Sequence, residues 1–122
     1  NRRQLHIMSN ALYTGEDVEV IIDLIDTDFA DLSEVIVGVV VNKVLVKTMK
    51  KTGSGSQQVF ADTGNTRRCK FRLFRSETST WEPGMLQLEV TTVQVVSGFP
   101  DGKHNTFRAN VVPFNSTLTK HV

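Results

Sequence analysis

The sequence has few of the residues that support covalent cross-links, metal centres or aromatic binding platforms. Its 122 residues include one cysteine, one tryptophan, one tyrosine and three histidines. A lone thiol forms neither an internal disulfide nor a cysteine-built zinc site. The histidines lie in three separate regions, without the spacing of two metal ligands on one element. We therefore expect no metal and no cofactor, and a fold that depends on its hydrophobic core.

Long apolar runs are also missing. None approaches the roughly 18–20 residues that cross a bilayer as a helix, and the first residues do not continue into the apolar stretch of a secretory signal. We expect no membrane partner. Hydrophobic residues make up 39% and charged residues 22% of the chain, a balance that suits one compact domain over residues 1–122.

Valine dominates the composition, with 17 copies beside seven phenylalanines, and apolar residues recur at every second position. This period predicts strands at 5–8, 17–24, 33–41, 44–49, 59–61, 67–75, 85–96 and 105–114. With no long helical pattern, the sequence predicts an all-β fold, an antiparallel β-sandwich of about seven strands. A small β-barrel of the OB type is the alternative.

Local signals refine this prediction. Gly38 interrupts a β-branched run that suits a strand covered on both faces, and indicates a bulge or a close backbone approach. Asn42 and Lys43 predict a hairpin turn, although a lysine in second place also fits a longer loop. Ser76 is a potential cap for a brief helical turn. The Gly/Ser-rich stretch 50–58 predicts a flexible loop, and 115–122 a mobile or partner-bound tail.

Charge is balanced overall but unevenly distributed along the chain. Residues 16–34 carry eight carboxylates and no lysine or arginine, whereas 43–75 carry nine basic residues and one carboxylate, Asp62. The favoured interpretation is that one copy of the domain places these segments side by side, where they neutralise each other. The alternative is that they form opposite patches on neighbouring copies and guide their docking.

Residues with catalytic or ligand chemistry are isolated. Cys69 alternates with Phe71 and Leu73, which predicts a small core side chain, because a nucleophilic thiolate needs an electropositive, partly exposed site. Asp26, Asp28 and Asp31 supply oxygens for calcium but lack the glycine and distal glutamate of an EF-hand loop, so a solvated turn is favoured. We therefore expect no enzymatic activity.

The alternating basic residues of 67–75 form a candidate contact face. Arg68, Lys70 and Arg72 point to the side opposite Cys69, and Phe74 or Trp81 are the nearest aromatic groups for stacking bases. The small net charge of +1 and the lack of interleaved aromatics argue against nucleic acid as a partner. Contact with a neighbouring subunit is the favoured interpretation.

Three stretches and one turn carry a family likeness. They are 15–20 (GEDVEV), an acidic entry into an alternating strand, 31–35 (DLSEV), the step before the next strand, and 81–90 (WEPGMLQLEV), a turn and strand that precede Asp101-Gly102. This order resembles the immunoglobulin-like sandwich domains of tailed-phage virion proteins, such as the N-terminal domains of baseplate upper proteins and related tail or capsid-attached modules. The resemblance implies a virion location and no catalytic residue or cofactor.

Together these features predict a non-enzymatic virion protein that contacts other virion proteins and copies of itself. The candidate contact residues are Arg68, Lys70, Arg72, Lys50, Lys51, Asp26, Asp28 and Asp31. Charge reversal at Arg68, Lys70 and Arg72 is expected to block incorporation into particles without unfolding the domain. The first alternative is a carbohydrate-binding or adhesive module that uses Trp81 and Tyr13, and the second is a small nucleic-acid-binding barrel.

Overall fold

The structure, a computed structural model, describes residues 2–6, 11–109 and 111–117. In them the chain forms ten strands, one short helix, α1 (Arg75–Thr78), and two 3-10 turns at Phe29–Asp31 and Gly55–Gln57. The strands are β1 (Arg2–His6), β2 (Leu12–Tyr13), β3 (Asp17–Asp23), β4 (Glu34–Val41), β5 (Val44–Lys50), β6 (Phe60–Ala61), β7 (Arg68–Leu73), β8 (Gly84–Gln94), β9 (Lys103–Arg108) and β10 (Val112–Asn115).

The strands form two sheets. One has the order β1-β3-β7-β6, and the other has the order β2-β10-β8-β4-β5. In the second sheet, β9 pairs with the C-terminal half of β8. The strand orders β3-β7-β6 and β10-β8-β4-β5 match the orders B-E-D and G-F-C-C′ of an immunoglobulin domain. The predicted immunoglobulin-like sandwich is therefore confirmed. The number of strands exceeds seven because the predicted strand at 105–114 divides into β9 and β10 and the N-terminal part contributes both β1 and β2, each parallel to its neighbour.

The core lies between the sheets and follows directly from the two-residue period. Alternate residues of β4 and β8 point inward. The rings of Phe71 and Phe114 fill the space between the two sheets, and each is at most 1% exposed. The other face of β4 differs from its prediction. Ile36 and Val40 stay partly exposed, because no described element packs over the outer face of the six-stranded sheet. The expectation of a strand covered on both faces is wrong for a single copy of the chain.

The β4–β5 connection is a two-residue hairpin. Asn42 and Lys43 have φ values of 51° and 68°, and two positive values are the mark of a type I′ turn. The register shifts between Val39 and Val40, one residue after Gly38, and a Cβ at Gly38 would lie 3.1 Å from Leu45 Cδ1. The predicted hairpin and bulge are thus present, and the close approach at Gly38 comes from a side chain and not from backbone.

The stretch 50–58 has a defined, closed path. The N–H groups of Gly53 and Val59 both donate to the carbonyl of Lys50, and Thr52 binds the carboxylate of Glu34 through its N–H and its hydroxyl. Gly/Ser composition does not predict these bonds, and the flexibility of the stretch stays a prediction. The prediction for 115–122 is tested only in part, since Asn115 ends β10 whereas 118–122 lie outside the described residues. Residues 7 and 8 of the first predicted strand lie outside them as well.

Candidate functional site

The outer face of the four-stranded sheet holds the acidic and basic segments side by side. Glu19 of β3 lies between two cations of β7, with its carboxylate 3.2 Å from Lys70 Nζ and 3.1 Å from Arg72 Nε. Lys70 also lies 3.8 Å from Asp62, and the Arg72 guanidinium stacks 4.8 Å from the centre of the Phe60 ring. The favoured interpretation of the uneven charge, mutual neutralisation within one copy, describes this face.

This arrangement changes what charge reversal would do. Glu19 is only 8% exposed, so reversing Lys70 and Arg72 would place two carboxylates beside a largely buried third. We expect that variant to lose stability, contrary to the prediction from sequence, and to be a poor probe of partner contact. Arg68 lies opposite Asp23, and its Nε is buried with no hydrogen-bond partner among the described residues.

The two candidate lysines of the 50–58 stretch have different environments. Lys51 Nζ donates to the carbonyls of Phe29 and Leu32, each at 2.7 Å, and lies 4.4 Å from the centre of the Phe29 ring. It fastens the loop that carries the acidic candidates within the same copy. Lys50 is exposed, and its charge acts on Glu34. Partial burial raises the pKa of Glu34, but the bonds from Thr52 and Val35 and the nearby Lys50 outweigh burial and lower that pKa below its usual value.

The three acidic candidates share one end of the sandwich with exposed apolar side chains. Asp26, Asp28 and Asp31 line a shallow depression with Arg67 and Gln94. Ile25, next to them, is 79% exposed with φ of 66°, and Val95, next to Gln94, is 82% exposed. A β-branched residue with positive φ is a conformational outlier. We name this surface the tip, defined by Ile25, Asp26, Asp28, Asp31 and Val95.

An open cleft of about 720 Å³ lies on the outer face of the six-stranded sheet, near the β4–β5 hairpin. We name it the cleft and use six of its lining residues to define it: Val40, Lys43, Met85, Glu89, Arg108 and Val111. Met85 and Val111 are 48% and 45% exposed. Arg108 Nε and Glu89 Oε2 form an ion pair of 2.9 Å. Such an apolar floor with a few charged groups suits a protein contact.

The hairpin that borders the cleft is fixed by one side chain. Asn42 Nδ2 donates to the Pro83 carbonyl at 3.0 Å, and Asn42 Oδ1 accepts from the Met85 N–H at 2.9 Å. Gly84 lies between these two bonds with φ of 154°, and a Cβ there would lie 1.9 Å from Asn42 Oδ1. The shape of the cleft therefore depends on a glycine at 84 and an asparagine at 42.

The residues considered for chemistry lie apart from one another. Cys69 is fully buried, as predicted, and burial, partly offset by the charge of Lys51, raises the pKa of its thiol to about 12. Among the described residues, no group of three or more metal-ligating side chains comes together. Trp81 packs against Phe114, with ring centres 6.3 Å apart, which limits its use as a sugar platform. No helix in the described part of the chain is long and apolar enough to cross a membrane.

Comparison with known proteins adds no family to this picture, because no family model matches the chain and no curated protein shows significant similarity to it. The interaction surfaces must be judged on their own geometry. Sequence reasoning selected the three aspartates of the tip but missed the cleft. The available signal was Ile36 and Val40 on the second face of β4, which was interpreted as burial within the chain.

Proposed function

We propose that this chain is a non-enzymatic structural protein of a bacteriophage virion that acts by contacts with neighbouring proteins. The observation that carries the proposal is the cleft, where Val40, Met85 and Val111 form an apolar surface on a sheet face that no described element covers. An exposed, concave apolar surface of this kind is a common mark of a protein contact.

The virion assignment has separate support. The resemblance in the three stretches 15–20, 31–35 and 81–90 comes from the sequence, and the immunoglobulin-like order of the strands agrees with it. A rigid two-sheet scaffold with function on its outer faces and end loops suits a repeated structural assembly. The buried, weakly acidic thiol of Cys69 argues against nucleophilic catalysis at the one cysteine.

A particle-incorporation experiment tests the proposal. The gene is expressed in its native genetic context, and released particles are purified on a density gradient and quantified by mass spectrometry. We expect the protein to travel with particles at a fixed ratio to the major capsid protein. Met85→Glu should reduce this ratio, whereas Phe107→Glu, which adds the same charge at a partly exposed position on the opposite face of the sheet, should not.

Two results would contradict the proposal. Recovery of the wild-type protein only in the soluble fraction would remove the virion assignment. Equal incorporation of Met85→Glu and wild type would remove the cleft from the contact.

A further inference from the structure

We infer that the cleft of one copy receives the tip of a second copy, so that the chain assembles head to tail. This deepens the proposed function and relies on it only for the biological setting of the contact. The occupant of the cleft is thus another molecule of the same protein, and Ile25 of that molecule contacts Met85 of the first.

The exposed apolar side chains cluster in two places and are not spread evenly over the surface, which supports two contact surfaces. Ten large apolar residues are exposed in the described part of the chain. Four lie in the loops at the tip end, 24–33 and 95–102, and four lie in the cleft or on the adjoining β4–β5 hairpin. Concentration of apolar area at two separate places is what an interface with two different halves requires.

The charges of the two surfaces are complementary. Lys43 and Arg108 against Glu89 give the cleft one net positive charge, whereas the three tip carboxylates against Arg67 leave the tip negative by two. Within the described residues, neither Lys43 nor the tip's Asp26 and Asp31 takes part in an ion pair. Opposite potentials on two patches favour encounter in one orientation and disfavour tip-to-tip or cleft-to-cleft contact.

The positions of the surfaces exclude closure within one molecule. Met85 and Val93 lie eight residues apart on β8, which separates the cleft end from the tip end by about 27 Å. A tip cannot reach the cleft of its own copy. Two different surfaces at opposite ends of a rigid sheet form a heterologous contact, which propagates into a ring or a filament.

The conformation of Ile25 also suits an inserted residue. Its N–H donates to Asp23 Oδ1 at 2.8 Å, which holds the residue in the left-handed region with its side chain directed to solvent. Backbone outliers that the surrounding structure maintains occur preferentially at functional positions. An exposed isoleucine held in this way has no packing role in its own copy.

A complementation experiment tests the inference with purified full chain. Met85→Glu blocks the cleft and Ile25→Asp blocks the tip, and each is compared with wild type by sedimentation velocity up to about 1 mM. We expect wild type to exceed the 13.6 kDa monomer mass in a concentration-dependent way, and each variant to weaken association by about 30-fold or more. An equimolar mixture of the two variants should form dimers and nothing larger, because one intact tip and one intact cleft remain.

Each alternative result has a defined meaning. A monomeric wild type, an Ile25→Asp variant that associates normally, or a mixture that stays monomeric would each overturn the inference. Phe107→Glu is the control and should associate like wild type. If Met85→Glu or Ile25→Asp fails to fold by circular dichroism, Val111→Glu or Val95→Asp replaces it.

The proposed function and this inference fail separately. A wild-type protein that enters particles but remains monomeric in solution would keep the virion role and assign the cleft to a different protein. Head-to-tail association without incorporation into particles would keep the contact and remove the virion role.

Discussion

A buried ion pair between the two sheets gives a quantitative test of how this sandwich is held together. Lys47 of β5 has a side chain only 5% exposed, and its Nζ lies 2.6 Å from Glu77 Oε1 of α1 and 3.1 Å from the Arg72 carbonyl. Glu77 Oε1 also accepts the N–H of Phe74, whose ring lies 5.5 Å from the ammonium. The pair therefore joins β5 to the segment that follows β7.

Glu77→Gln keeps the shape of the side chain but leaves the Lys47 ammonium buried opposite a neutral amide. We expect a loss of about 3 kcal/mol in the free energy of unfolding, the low end for a broken buried pair because the Arg72 carbonyl still binds the ammonium. That corresponds to a fall of about 12 °C in Tm for a domain of this size. Lys47→Met removes the buried charge itself and should cost about 1.5 kcal/mol, since Glu77 is 26% exposed and keeps the Phe74 N–H.

Urea unfolding followed by the fluorescence of the single tryptophan, Trp81, measures the free energy of unfolding of Glu77→Gln, Lys47→Met and the variant that carries both changes. The double variant should resemble Lys47→Met, because the unpaired ammonium that makes Glu77→Gln costly is then absent. Additive losses in the double variant, or a larger loss for Lys47→Met than for Glu77→Gln, would refute the reasoning. Glu82→Gln, at an exposed position between α1 and β8, is the neutral control.

Three further predictions concern single sites. Gly84→Ala should lower the free energy of unfolding by about 1–3 kcal/mol through its clash with Asn42, whereas Gly64→Ala should be nearly neutral by the same urea assay. Folding lowers the pKa of Glu34 below 4.5, so its ionised form stabilises the native state at neutral pH and that contribution is lost as pH falls through the folded pKa. The stability gap between wild type and Glu34→Gln should therefore shrink as the pH is lowered below 4.5. Cys69, with its pKa raised to about 12, should resist a thiol reagent in the native protein and react only in concentrated urea, and rapid native labelling would contradict its buried position.

Local features were the most predictable part of this structure. The hairpin at Asn42 and Lys43 and the bulge beside Gly38 follow from the conformations that a few residues permit. Cys69 follows from its place in an alternating strand. Each of these depends on only a few neighbouring residues, so the sequence contains the whole argument.

Features that join distant segments were not predictable in the same way. Ser76 is not the predicted cap, because α1 begins at Arg75 and Ser76 lies inside it. The N–H of Arg75 donates to Asp17 Oδ1, 58 residues away. The pairing of Glu19 with Lys70 and Arg72 depends on the register of β3 against β7. The cleft was missed for a related reason, because a strand that is apolar on both faces looks the same whether the second cover comes from its own chain or from another.

Disulfide trapping tests the central claim most directly, since it asks whether Ile25 of one copy meets Met85 of another. Ile25→Cys and Met85→Cys are made singly and together, and each protein is oxidised and separated without reductant; native Cys69 is buried and stays silent. Head-to-tail docking predicts a ladder of linked multimers for the double variant and, for each single variant, little linkage alone but linked dimers when the two are mixed. Efficient dimers from Met85→Cys alone, with no ladder from the double variant, would show a face-to-face contact and contradict the account.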